Sequence, residues 1–472
     1  MNNNVIIRLL EGASIVERQG LHLIELPPSI YRPPVALRDT TPAMLSAAES
    51  LLHGSPTSSS LMSAVLRHDG AVGAGKWHRI VEILWRMAMI RQTLMFNQEP
   101  VATLTPISLS FHYTFREIDL EKEYVLSRFA YIHAVDGEMR LECPLGHAEL
   151  LLHHPDSVAM IGHLAKPHSA RDLSEKLQLD TETIQMMINF LLNLNAIDDS
   201  SATDSDPVLD PWEFHDLIFH SRSRLGRHSR PYGGTYPFKN ILPDLPVIKP
   251  AMEGEVIMLL PPNISDIQRN DKSFTEVLES RASVRSQGTA PICLSQLSEF
   301  LYRTSRIKRL SADSTVCFRP SPGGGALHEL EVYPIISHCE GLEPGAYHYR
   351  AADHALTFIS GMKPAIKTLL DVAGVTATLQ KHPQVFFGIT ARFQRVQLKY
   401  QSIAYSVILK NVGALYQTMY LVGTAMNLAP CALGGGHSDL FAQALGLNYY
   451  QETSVGEFVL GSRGSNNDQK YK

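Results

Sequence analysis

Cysteine is scarce in this chain and shows no pairing pattern. Five occur in 472 residues, at Cys143, Cys293, Cys317, Cys339 and Cys431, and none forms a Cys-x-x-Cys pair. An odd count without metal-type spacing argues against a disulfide framework or a zinc ribbon, and fits a reducing compartment such as the cytoplasm. An excess of one charge is also lacking: 42 Lys and Arg stand against 47 Asp and Glu, a formal net charge of −5. That balance supplies no bulk attraction to nucleic acid or to an anionic membrane. No run of 18 apolar residues occurs, so no transmembrane helix is expected. The opening MNNNVIIRLLEGAS lacks a basic segment followed by a long apolar run and a cleavage site, so no signal peptide is expected. What is present is ordinary for a globular protein, 44% hydrophobic and 19% charged, with length for about three domains.

The expected fold class is α+β. Residues 1–118 open with strand-like Val5–Leu10, Ser14–Glu17 and Leu21–Leu26, closed by Pro27-Pro28. Helical patterns follow at Pro42–Leu52, Ser60–Arg67 and Lys76–Ile90; in the last, Ile80, Ile83, Leu84, Met87 and Ile90 mark one face. Residues 119–205 repeat the order. Tyr124–Val135 reads as a strand, Asp136-Gly137 as a hairpin turn, and Met139–Cys143 and Ala148–His153 as its partners. Three short helices come next, with Ser157, Ser169 and Asp180 as N-caps. Three helices beside a small sheet describe a winged helix, so the two blocks read as a tandem pair. Ser200–Asp206 reads as a linker. Residues 206–262 form a His- and Arg-dense tract followed by a proline-rich extended arm, and 263–472 a further α+β domain. DNA is a rival partner for a winged helix, but TETIQMMINFLLNLNAI in block two carries no Lys or Arg, whereas a major-groove helix needs them. The objection is weaker for block one, whose last helix has Lys76, Arg79 and Arg86. A purely dimerising scaffold is a third reading.

Four features of the last domain can carry chemistry. Arg281-Ala-Ser283-Val-Arg285 puts two guanidiniums and a hydroxyl on one side of an extended segment, suited to a phosphate or a carbonyl; a solvated basic turn is the equal alternative. Arg319-Pro-Ser-Pro-Gly-Gly-Gly-Ala-Leu-His328 lets backbone approach a flat or anionic ligand, or is a flexible loop. Arg392, Arg395 and Lys399 share a face if this stretch is helical, which by itself is better read as a solvated basic face. Lys399 beside Tyr400 says more, since a neighbouring ammonium favours phenolate and would make Tyr400 a better base; this requires a bend there. Finally, Gly434-Gly-Gly-His-Ser-Asp439 can offer backbone N–H groups, or is a helix cap and turn, and Arg463 can close on a phosphate, or is a surface tail. His328 and His437 are read as structural.

Together these strings resemble the nitroreductase-like superfamily, and within it the SagB/McbC-like, cyanobactin-type azoline oxidases. The resemblance covers about residues 207–465 and rests on WEFHDLIFHSRSRLGRHSRPYGGTYPFK, RPSPGGGALHELEVYP, Lys399-Tyr400 and GGGHSDL…LGL. It implies a nitroreductase-like FMN domain at 263–472, with FMN at a homodimer interface. Arg281, Ser283 and Arg285 would bind the flavin, joined across the dimer by Ser321, Gly323, Gly324, Ala326 and Leu327. Gly435 and Gly436 would sit near the ring, and Lys399 and Tyr400 would be catalytic. Arg463 as a phosphate ligand is our own addition. Ala282 stands where many relatives carry a second Arg, which redistributes the phosphate contacts. The implied reaction oxidises a peptide thiazoline, or oxazoline, to the aromatic ring by proton abstraction and hydride transfer to flavin N5, with O2 reoxidising the flavin. The winged-helix pair would recognise a precursor leader peptide as an added strand. The rivals are an NAD(P)H-dependent nitro- or quinone reductase and a peptide-binding scaffold without catalysis.

Overall fold

The computed structural model describes residues 4–27, 32–54, 56–201 and 206–464, and its chain divides into two compact units, Met1–Pro231 and Tyr232–Lys472. Part of the expected Ser200–Asp206 linker, 202–205, and Pro28 lie outside the described residues. Among the described residues no helix is long and apolar enough to cross a membrane.

The first unit is organised by one six-stranded antiparallel sheet in the order Val5–Leu9, Ile90–Phe96, Glu99–Pro106, Ala148–Leu152, Glu138–Glu142, Tyr131–Val135. The pairing of Glu99–Pro106 with Ala148–Leu152 makes the strands of the two sequence blocks continuous. The Asp136-Gly137 turn forms with both residues at positive φ, 54° and 84°, as a two-residue hairpin requires. The segment read as one strand, Tyr124–Val135, is two, Glu123–Leu126 and Tyr131–Val135, in different sheets. The helices expected at Ser60–Arg67 and Lys76–Ile90 are one run, Ser58–Arg86, kinked where Gly70 adopts φ 65°. It stops at Arg86, with Ala88 at φ 50°, so Ile90 opens a strand. Hydrogen bonding to a neighbour on each side overrides the helical periodicity there.

Three helices follow, Pro155–His163, Ala170–Leu177 and Thr181–Asn193. Ser169 and Asp180 cap the second and third as expected. The first is capped by His154 instead, since Pro155 takes the first helical position and Ser157 falls inside, its hydroxyl donating to the His154 carbonyl at 2.6 Å.

The second unit is built on a seven-stranded antiparallel sheet: Val256–Met258, Ala355–Ser360, Gly345–Arg350, Leu330–Ile336, Val385–Arg392, Glu452–Ser462, Leu428–Leu433. Val385–Arg392 is buried throughout because both faces are covered. Phe387 and Ile389 enter one core with Phe300 and Phe458; Phe386 enters the other with Tyr333 and Phe441. The 22-residue helix Ala404–Ala425 packs on Leu428–Leu433 and on the helix Leu294–Ser305.

Arg392 and Arg395 do not form a solvated face. Both are buried, and they hold the proline-rich arm by its carbonyls. Arg392 donates to Pro246 at 2.7 Å and Val247 at 3.3 Å, and Arg395 to Leu245 at 2.8 Å. The helical face read from the spacing does not form, because Arg392 ends the strand Val385–Arg392 and only Gln394–Gln397 is helical; the returning arm brings both guanidiniums inside.

Candidate active site

The short helix Gln394–Gln397 ends just before Lys399, and Tyr400-Gln401 turns into a two-residue strand paired with Gly233-Gly234. This supplies the bend that lets neighbouring side chains converge. Their meeting point is Gly325. A Cβ on that residue would lie 2.7 Å from Tyr400 Oη and 2.8 Å from Lys399 Nζ, and Gly325 is at φ +62°. Lys399 Nζ also lies 5.2 Å from the Tyr400 ring centre and 5.9 Å from that of Tyr236. The glycine loop is thus the floor under the cation–phenol pair.

That loop is held from behind. Gly324 N–H donates to Asn411 Oδ1 at 3.0 Å, and Asn411 Nδ2 donates to Glu329 Oε1 at 2.8 Å. Glu329 is fully buried, its Oε2 has no partner among the described residues, and burial pushes its carboxyl up. Gly323 lies against the His328 ring. Burial, then the charges of Arg319 and Arg395, pushes His328 down to about 4, so it is a neutral packing group at pH 7. Ala326, at φ 56°, and buried Leu327 close the loop; the Leu327 carbonyl accepts from Arg395 at 2.9 Å. Ser321 is buried beside them. Asn411 and Glu329 escaped the sequence reading, although an Asn amid the apolar periodicity of Ala404–Ala425 was a usable signal.

A second cluster gathers around Tyr420. Ser283 Oγ lies 2.7 Å from Tyr420 Oη, which also accepts from Ala432 N at 2.8 Å, and the Arg281 guanidinium is 5.3 Å from the Tyr420 ring centre. Val284 N–H donates to the Pro430 carbonyl, and Gln287 bridges Arg463. The guanidiniums of Arg285 and Arg463 are exposed and make no hydrogen bond among the described residues. Gly435 is exposed with open space around it, whereas Gly436 lies against the Glu457 carboxylate, which burial pushes up.

Within one chain these clusters are not brought together. Asn411 and Tyr420 are nine residues apart on one helix, so they leave it on opposite faces, about 13 Å apart along the axis. The Gly323–Leu327 loop, which carries Lys399 and Tyr400 over Gly325, meets the first face at Asn411, and Arg281 and Ser283 meet the second at Tyr420. Among the described residues no cluster of His, Cys, Asp and Glu could hold a metal ion.

Residues 278–462 match the nitroreductase family. The C-terminal domain is nitroreductase-like. Residues 124–229 match the cyanobactin oxidase ThcOx, so the resemblance drawn from the motifs is returned in both units. A Methanocaldococcus jannaschii protein named as a nitroreductase is 24% identical over 204 residues, 42% of this chain and 93% of its own length. Among solved structures, the Escherichia coli microcin synthetase McbBCD complex with truncated pro-MccB17 bound is similar at 18% identity. It covers 50% of this chain and 82% of that one, with a TM-score of 0.34. A nitroreductase-type protein from Exiguobacterium sibiricum in complex with FMN is 12% identical over 41% of this chain and 90% of its own, with a TM-score of 0.30.

Proposed function

We propose that this chain is a cytoplasmic FMN-dependent azoline oxidase, converting thiazolines or oxazolines of a ribosomal precursor peptide into the aromatic azoles, and that the two winged-helix-like blocks of its N-terminal unit recognise the precursor's leader. The convergence of Tyr400 Oη and Lys399 Nζ over Gly325, in a nitroreductase-like domain that follows a cyanobactin oxidase segment, carries this reading. A plain reductase has no evident need for a phenol and an ammonium aimed at one point.

The residues present fit a flavin. Open space lies around Gly434 and Gly435, and Arg281, Ser283, Arg285 and Arg463 offer a hydroxyl and guanidiniums for a phosphate. When bound, FMN supplies the two-electron acceptor. Tyr400 takes the carbon-bound proton of the azoline ring, and Lys399 holds the resulting negative charge or the substrate carbonyl. The Glu329–Asn411–Gly324 chain fixes the floor against which both work. Because the two clusters leave opposite faces of one helix, a complete site draws its Ser321–Leu327 side from a second copy, so the working unit is a homodimer. O2 is the proposed terminal acceptor.

Anaerobic mixing of the yellow protein with a thiazoline-containing peptide tests this. Bleaching of the flavin band, with loss of two hydrogens from the peptide by mass spectrometry, is expected. Rapid bleaching by NAD(P)H and none by the peptide would assign a reductase instead; colourless protein that takes up no flavin would leave a scaffold. A second expectation concerns Gly325→Ala. The methyl would displace both side-chain ends and be strained at φ +62°, so turnover is expected to fall roughly tenfold or more. Stability is expected to fall by only about 1 kcal/mol, measured by melting temperature.

A further inference from the structure

A cavity of about 810 Å³ in the N-terminal unit is lined by none of the candidate active-site residues. Beside it runs the chain segment Tyr113–Ile118, outside any strand or helix yet held as a strand would be. Three amides on one face of the helix Thr181–Asn193 grip it. Asn193 pairs with both the N–H and the carbonyl of Thr114, Asn189 with both of Arg116, and Gln185 donates to the carbonyl of Ile118. The spacing matches. Four residues of helix advance about 6 Å, and two residues of extended chain about 6.6 Å. The helix therefore serves as the neighbouring strand for every second residue.

The residues between them face the other way. Phe115 and Glu117 make no backbone hydrogen bond among the described residues, and both line the cavity. Gln92 lines the same cavity, and its side-chain amide makes no hydrogen bond among the described residues, so its donor and acceptor are open to whatever enters. Ile7, Trp85 and Met186 supply an apolar wall.

We propose that this cavity binds an extended peptide, which adds as a strand to the free edge at Phe115 and Glu117, meets the Gln92 amide, and inserts an apolar side chain against Trp85 and Met186. Donors and acceptors at two-residue spacing are what another peptide backbone satisfies. The charges at the rim agree: Arg86 and Arg116 stand with Glu117 and Glu182. A polyanion such as nucleic acid would meet two carboxylates, whereas a peptide of mixed charge would not be opposed. The occupant is the leader segment of the precursor, an assignment that rests on the proposed leader recognition and gives it a location.

A phage-displayed random dodecapeptide library is selected on the immobilised full-length protein, and enriched peptides are titrated by fluorescence anisotropy. Glu117→Pro deletes one donor of the free edge and leaves every pair to the helix intact; it is expected to weaken binding about tenfold. Gln92→Leu removes no native hydrogen bond, so it is expected to keep the melting temperature while weakening binding several-fold. Hydrogen exchange at Phe115 and Glu117 is expected to slow when peptide binds. Binding unchanged in both variants, with protection elsewhere, overturns this site and leaves leader recognition standing. Failure to enrich any peptide overturns both, and tighter binding of a single-stranded oligonucleotide than of any peptide overturns the assignment of a peptide occupant.

Discussion

Tyr400→Phe is expected to lower azoline oxidation by about 10²- to 10⁴-fold, the range over which a positioned proton acceptor contributes. The ring is kept, and with it the packing of a half-buried residue whose backbone pairs with Gly233-Gly234. Flavin content and melting temperature should therefore match the parent. The loss should fall on the single-turnover rate of anaerobic flavin bleaching and not on peptide affinity, because the hydroxyl acts only as the proton leaves carbon. Lys399→Ala is expected to lower the same rate substantially. The double variant should be little worse than Tyr400→Phe alone, since two groups converging on Gly325 work as one unit. A Tyr400→Phe rate within threefold of the parent would remove the phenol from the mechanism and leave Lys399 as the base.

The parts of this molecule that were readable in its sequence are those decided locally. The Asp136-Gly137 hairpin and the Ser169 and Asp180 caps depend on residues within a few positions of one another, and they form as read. The end of the Ser58–Arg86 helix was not readable. Ile90 continues the apolar periodicity, but its strand partner Leu9 lies 81 residues earlier in the chain. The candidate pair Lys399-Tyr400 stood out by resemblance, yet its geometry rests on Gly325, 75 residues earlier, and on a strand partner at Gly233-Gly234. Asn411 went unread for the same reason: its role exists only because the loop at Gly324 returns to the helix. Arg392 and Arg395 were misread as solvent-facing because the spacing was taken as helical, whereas Arg392 ends a buried strand and both guanidiniums lie beneath the returning arm.

Arg392→Met is expected to produce the largest loss of stability, about 3–5 kcal/mol, because it leaves a buried carboxylate short of a cation. Glu331 is 3% exposed and has three neighbours: His348 at 3.2 Å, Arg392 at 3.6 Å and Arg319 at 4.0 Å. Burial is the largest influence on its carboxyl and pushes it up. The His348 hydrogen bond and the charges of Arg319, His348 and Arg392 together outweigh burial, and the net position is below the ordinary value. A carboxyl lowered in this way stabilises the fold above its unfolded value, and that contribution is lost as pH falls through its folded value. The deficit of Arg392→Met against the parent should therefore be full near neutral pH and shrink in acid, where the parent's Glu331 is protonated too. Combining it with Glu331→Gln should restore part of the loss by removing the stranded charge. Restoration should be incomplete, because Arg392 also donates to the carbonyls of Pro246 and Val247, at about 1 kcal/mol for each bond lost. Thermal melts of the four proteins across that pH range separate the two contributions. If the double variant recovers nothing, the guanidinium acts on the arm and not on Glu331; if it recovers everything, the arm is held without Arg392, by Arg395 and the Lys249–Glu452 ion pair.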